Sequence, residues 1–340
     1  MAASAVPQPV VLANLGESAD GLLSAWLFLP DRPPEPLALG ELDAALDQQE
    51  GVIWVHLNAT ASRAKQWIQD CRHLPEPVRE DLLEFDPRTR LEPLGRAIVG
   101  VIGDTVAGAD PDPWRLSTLH FYLDRHWLVS TRRRPVSCAS RLGRAVRSGL
   151  TVRSSTELVV WLLHHAAQSV SERAAELARE TNRSEDEVLT GRTALARLRL
   201  GKARRRAAQL RRQVTLRPRA IDRLRARLPT WVDENDRFEL LDALDRMETL
   251  VDELQAIEQR EAGLEAEVAA RLSEETNRNL FILSVVTVIF LPMTLITGIF
   301  GMNVAGLPGL ADPNAFWWVM LAMAVVPAVF LAALRWRRRS

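Results

Sequence analysis

"LFILSVVTVIFLPMTLITGIFGMN", Leu280–Asn303, lies in a run from Asn279 to Ala311 that carries no charged residue. A helix needs about 20 apolar residues to cross roughly 30 Å of hydrocarbon, so the stretch predicts a membrane span over 279–302. A second uncharged run, Pro313 to Leu334, predicts another over 315–334. The connection, 303–314, is short, and Asp312 is its one charge. Arg335, Arg337, Arg338 and Arg339 follow the second span as a basic tail over 335–340. Positive charge marks the cytoplasmic side. The expectation is therefore a protein of the inner (plasma) membrane with both termini cytoplasmic and 303–314 as an extracytoplasmic loop. Trp317, Trp318 and Trp336 sit where interfacial aromatics belong.

An anchor facing only lipid would be apolar all round, and the first span is not. Asn277, Leu280, Ser284, Thr287, Leu291, Thr294, Gly298 and Gly301 recur at three- and four-residue steps, which places them on one seam of a helix. Bulky apolar residues occupy the remaining positions, and Thr297 is the hydroxyl off the seam. Polar groups within a span face protein or a wet cavity. Small residues equally allow close helix packing, so the seam alone leaves pore and packing both open. Pro292 removes one helical hydrogen bond and frees the carbonyl of Val288. Gly301-Met302-Asn303 falls where the span ends. There a glycine suits a sharp turn, and Asn303 offers an uncharged acceptor and donor. A ring of such amides could hold the water shell of a dication without stripping it, which matters because small dications dehydrate reluctantly.

Upstream of the spans, the chain divides into a mixed α/β part, 1–150, and a helical part, 151–278. "GVIWVHLN" (51–58), "RAIVGVIGDTV" (96–106), "LSTLHFYLD" (116–124) and "HWLVSTR" (126–132) are rich in β-branched and aromatic residues and predict strands. "ASRAKQWIQDC" and "PEPVREDLLE" predict short helices, and Pro30, Pro33, Pro34 and Pro36 an exposed loop. Ser154 and Glu157 form a capping-box pattern that starts a long helix. From Arg192 to Arg227 there are fourteen Lys/Arg against the single acid Asp222. From Asp233 to Glu275 there are fifteen acids against four arginines, with Leu240, Leu244, Met247, Val251, Leu254, Leu264, Val268 and Leu272 as an apolar stripe. The expectation is a basic helical pair lying along an acidic stalk helix that runs from about 233 to 300 into the membrane.

The whole chain of 340 residues has a formal net charge of zero, which excludes a generally basic nucleic-acid binder. Cys71 and Cys138 are far apart and suit reduced cytosolic thiols. The first thirty residues lack the basic start and apolar region of a signal peptide. The six histidines all precede the stalk, and His164-His165 cannot share one helix face as a metal pair would. "GVIGDTVAG" (100–108) lacks the lysine and glycines of a phosphate loop. Nothing in the sequence forms a nucleophile–base constellation, so the chain reads as a non-enzyme without catalytic residues or a cofactor.

With these residues in view, the span, its "GMN" ending and the order of parts resemble the CorA superfamily of divalent-cation transporters. "REDLLEFDPRTR" (79–90) and "LVSTRRRPV" (128–136) resemble that family more loosely. The resemblance implies an α+β cytoplasmic domain, a long stalk helix and two transmembrane helices, assembled as a homopentamer in the lipid bilayer. It further implies a selectivity entrance at Gly301, Met302 and Asn303. Asn277, Leu280, Leu283, Ser284, Thr287, Leu291, Thr294 and Gly298 would line the pore, with Leu291 a hydrophobic constriction. Arg335, Arg337, Arg338 and Arg339 would lie beside the inner mouth. The magnesium branch carries Met-Pro-Glu-Leu after GMN, whereas "VAGLPGLADP" has no glutamate and is similar to the zinc-transporting ZntB branch. Zinc, with coupling to protons as that branch implies, is thus favoured over magnesium or cobalt. A dedicated metal-binding site is not identified. A rival of another class is a membrane-anchored coiled-coil scaffold or sensor, which explains the stalk but not the seam.

Overall fold

The computed structural model describes residues 20–84, 88–108, 112, 114–216, 218–302 and 314–337. Among these, seven strands form one sheet: β1 (Leu22–Phe28), β2 (Glu35–Pro36), β3 (Val52–Asn58), β4 (Arg90–Leu94), β5 (Ala97–Thr105), β6 (Leu116–Leu123) and β7 (Trp127–Arg132). Their order is β2-β1-β3-β7-β6-β5-β4. All pairs are antiparallel except β3 and β7, which run parallel from Ile53 opposite Trp127 to Asn58 opposite Arg132.

Successive strand residues point to opposite faces, and here both faces are covered. Val52, Trp54, Leu119, Phe121, Leu123 and Leu128 face one core. Against them pack α4 (Ser137–Arg147), α5 (Ser155–Leu189), α6 (Thr193–Val214), α7 (Pro218–Ala226) and the first part of α8 (Glu234–Phe300). Ile53, Val55, Leu57, Tyr122 and Val129 face the other core, closed by α1 (Leu42–Gln48), α2 (Ser62–Asp70) and α3 (Glu76–Leu83). A strand covered on both sides reads as a continuous apolar run, as β3 does. The apolar stripe of α8 joins the first core through Leu240, Leu244, Met247, Leu250 and Leu254. This face of the sheet and the later helices thus share one interior. The chain clusters into two compact units, Met1–Leu264 and Glu265–Ser340.

Local polar groups fix the element ends. The Ser154 hydroxyl accepts the Glu157 amide at 3.1 Å and caps α5, while the Glu157 carboxylate accepts the Arg153 amide at 2.9 Å. Buried Asp104 accepts the amides of Cys138 and Thr105, each at 2.6 Å, and so serves the first turn of α4. Burial nevertheless pushes its carboxyl up to about 6, those hydrogen bonds offsetting only part of the shift. Across the parallel pair, the Ser130 hydroxyl donates to the Val55 carbonyl at 3.1 Å and accepts from the Trp54 indole at 3.2 Å. Its single proton is then committed, so His56 Nδ1, 3.0 Å away, is the donor of their bond. Burial first, and the Arg132 charge second, lower the His56 imidazole to about 3.

The expected pairing of basic and acidic helices lies within the chain. Arg211 of α6 meets Glu258 of α8 at 3.0 Å, and Arg225 of α7 pairs with Asp245 of α8. Arg206 reaches Glu180 of α5 at 3.2 Å and stacks over Trp114 at 4.6 Å. Exposed pairs contribute only about 0.2–1 kcal/mol each and are screened by salt. Reversing Arg211 and Arg225 to Glu together is therefore expected to lower the melting temperature at low salt, with the loss shrinking at high salt. A difference from wild type that does not vary with salt would show that packing, not charge, is what the reversal disturbs.

The sequence reading did not anticipate β1, β2, β4, α1 or α4. Glu35–Pro36, within the stretch expected to be an exposed loop, pairs with Trp26 and Leu27 at the sheet edge, and both its residues remain exposed. An edge strand is where a proline does no harm to the ladder.

Candidate functional site

The seam residues Asn277, Leu280, Leu283, Ser284, Thr287, Leu291, Thr294 and Gly298 all lie on α8, and all are exposed within the single chain. Leu291 shows 68% of its surface and Leu283 61%. Gly301 and Met302 follow directly, and Asn303 and the loop to 313 lie outside the described residues. Arg335 and Arg337 fall at the end of α9 (Ala315–Arg337), and Arg338 and Arg339 lie outside the described residues.

Exposure on α8 is not uniform. Val285, Val288, Ile289, Pro292, Met293 and Ile296 are partly covered. At about 100° per residue, this stripe centres on the side of the helix opposite the seam. On α9 the matching stripe is Val319, Met323, Val326 and Pro327, Pro327 being buried. The chain partly covers this one apolar stripe and leaves the rest of the helix bare, the hydroxyls and glycine of the seam together with Phe281, Ile282, Val286, Phe290, Leu295 and Ile299. In hydrocarbon a bare polar face is costly.

Two of the seam's hydroxyls are internally satisfied as donors. Thr287 donates to the Leu283 carbonyl at 2.9 Å and Thr294 to the Phe290 carbonyl at 2.8 Å. Their oxygens keep lone pairs that can accept from water, so the seam presents acceptors without charge. Gly298 has open space where a side chain would stand. At Gly301 the amide still bonds to the Thr297 carbonyl at 2.8 Å, and a Cβ would come within 2.9 Å of that oxygen. The helix thus ends on a glycine for a steric reason. α8 is long and apolar enough to cross a membrane, and Phe316–Val329 of α9 is a second, shorter apolar stretch.

Among the described residues, no three His, Cys, Asp or Glu side chains are grouped as metal ligands. His56 and His120 are buried in the sheet, and His165 stacks on Trp161 at 3.5 Å. His164 Nε2 lies 3.8 Å from Asp242, with burial lowering its imidazole.

The family model described as "CorA-like Mg2+ transporter protein" matches residues 49–338. The divalent cation transporter CmaX of Pseudomonas aeruginosa is 28% identical over 281 residues, 82% of this chain and 84% of that one. The zinc transport protein ZntB of Yersinia pseudotuberculosis is 26% identical over 287 residues, 84% and 86% of the two chains. The solved structure of full-length CmaX superposes with a TM-score of 0.76 at 25% identity, covering 94% of this chain and 98% of that one. The CorA magnesium transporter of Methanocaldococcus jannaschii shares the fold, with a TM-score of 0.74 at 18% identity over 92% and 97%. Sheet, long apolar helix and family match agree: the chain belongs to the CorA family of divalent-cation transporters.

Proposed function

We propose that the protein carries zinc across the inner membrane through a homopentameric pore lined by five copies of the α8 seam. The observation that carries this reading is the bare seam opposite the covered stripe. One chain partly covers only the stripe opposite the seam, so the polar seam, like the apolar flanks beside it, is left for something outside the chain, and hydroxyls and glycine are ill suited to lipid. Copies arranged about an axis would turn that face toward a shared water-filled path, and two spans alone cannot enclose one.

In this arrangement 279–302 and 315–334 are the spans and 303–314 the outer loop. Residues 1–150 and 151–278 are cytoplasmic, with 335–340 as the inner tail. Asn303, with Gly301 and Met302, forms the entrance. Asn277, Leu280, Leu283, Ser284, Thr287, Thr294 and Gly298 line the path, and Leu291 forms its constriction. The ion travels largely hydrated, because the seam supplies neutral acceptors and no carboxylate, imidazole or thiolate of the kind that binds bare zinc. Weak binding of this sort lets an ion leave as well as enter. Arg335, Arg337, Arg338 and Arg339 sit near the inner mouth as its basic tail. Zinc ahead of magnesium or cobalt is supported by the loop "VAGLPGLADP", which lacks glutamate, and by the similarity to ZntB.

The test is purified protein in liposomes with zinc- and magnesium-sensitive dyes, with and without a proton gradient. Zinc flux exceeding magnesium flux, raised by the gradient, is expected, along with a particle mass of five chains. Magnesium flux without zinc flux would reverse the ion assignment, and a stable monomer would remove the pore.

A further inference from the structure

In the first unit, a cleft of about 790 Å³ opens where the parallel strands β3 and β7 both begin. Three segments far apart in sequence bring cations to it. Arg32 comes from the turn after β1, Arg125 from the β6–β7 turn, and Arg153 from the residue before the Ser154 cap of α5. Half-buried His126 lies beside them. Arg153 is held 3.7 Å from Glu157. The side chains of Arg32 and Arg125 make no ion pair or hydrogen bond among the described residues. Asp31 is the one acid in the lining. Half-buried Leu29 and Val152 give the cleft its apolar surface, with Phe28 and Val52 almost wholly buried behind them. Gly51, at φ +68°, lets its backbone lie close against β1, since a Cβ there would fall 2.2 Å from the Phe28 carbonyl oxygen.

We infer that this cleft binds a phosphorylated small molecule of nucleotide size, with its phosphates on Arg32, Arg125 and Arg153 and its body against Leu29 and Val152. The whole chain is neutral, so the local excess of positive charge is a property of this cleft. A concave wall of one sign concentrates its field on a ligand of the other. Guanidinium groups match phosphate oxygens two at a time. The volume lies within the range of small-molecule sites, about 300–1,000 Å³, which are largely apolar with a few placed polar groups. Three arginines stand against Asp31 and the Glu157 that pairs with Arg153, which leaves the cleft net positive and unsuited to a cation. The site is separate from the α8 seam, and the inference does not rest on the transported ion.

The full chain in detergent, with a chelator present, is titrated calorimetrically with ATP, tripolyphosphate and adenosine. Saturable ATP binding is expected, with tripolyphosphate several-fold weaker and adenosine weaker still. Arg32→Gln with Arg125→Gln is expected to weaken ATP by about tenfold or more while leaving the ligand-free melting temperature unchanged, since both side chains are exposed and unpaired. Thr151→Trp, which fills the cleft from an exposed rim position, is expected to weaken ATP independently. Absence of saturable ATP binding, equal affinity in these variants and wild type, or binding of tripolyphosphate or adenosine as tight as ATP would each overturn the inference.

Discussion

Asn303→Ala is expected to abolish cation flux in liposomes, or to cut it by at least about tenfold, while the particle mass of the assembly stays unchanged. On the proposed pore the amide ring at the entrance holds the water shell of the arriving ion, and alanine removes both its acceptor and its donors. Asn303→Asp is expected to bind ions but release them slowly, because a ring of carboxylates holds a dication more tightly. The same experiment reports which face of α8 is wet. With Cys71 and Cys138 replaced, single cysteines at 287 and 294 should react with small water-soluble thiol reagents and lose flux on reaction. Cysteines at 289 and 296, on the stripe that the chain itself covers, should remain unreactive. Thiolates form where water reaches, so labelling maps water rather than mere space. Equal labelling of both faces, with normal flux in Asn303→Ala, would make the seam a packing surface and the signature a structural turn.

The second large effect concerns acid. His56 takes a proton at 6.5 in the unfolded chain but only at about 3 when folded. Its contribution to stability is present above pH 6.5 and is lost as pH falls toward 3. Asp104 is the reverse case, titrating at 3.8 unfolded and about 6 folded. Its contribution is present below pH 3.8 and is lost as pH rises through 6. Between about pH 4 and 6 the unfolded state gains a proton at His56 while the folded state gains one at Asp104, so the two slopes cancel. Asp104→Asn should expose the histidine alone, with stability falling by about 1.4 kcal/mol per pH unit on acidification across that window. His56→Gln should expose the aspartate, with stability rising on acidification by a similar slope. Melting temperatures of the full chain from pH 4 to 7 check both. Parallel pH curves for wild type and both variants would mean that neither group titrates differently on folding.

The parts most legible in the sequence are those whose pattern is local. The central strands β3, β5, β6 and β7 announce themselves because their residues are β-branched or aromatic and covered on both faces. The seam of α8 is legible for the same reason, since helical periodicity alone places Thr287 under Leu291 and Thr294 over it. β4, "RLEPL", carries a proline and two charges and is held as a strand only by its pairing with β5. α4, "SCASRLGRAVR", is small and basic, and its start depends on Asp104, more than thirty residues away. Neither dependence is written in its own stretch of chain. The cleft is illegible for a similar reason. Arg32, Arg125 and Arg153 meet only because β3 and β7 lie side by side, and no motif joins them.

The shared interior of sheet and helices has a consequence for how the protein is made. The last strand, β7, is complete at Arg132, but the side of the sheet bearing Ile98, Leu119 and Phe121 shares its core with residues as late as Leu254. While residues 133 to 254 are synthesised, roughly ten seconds at typical elongation rates, part of that apolar cover does not yet exist. On the proposed topology the first span begins soon afterwards, at 279. On that topology the ribosome releases the closing segment of the core and the first membrane segment in quick succession. The nascent chain must keep an open apolar sheet from aggregating until then, and must engage the insertion machinery at nearly the moment its soluble part becomes able to close.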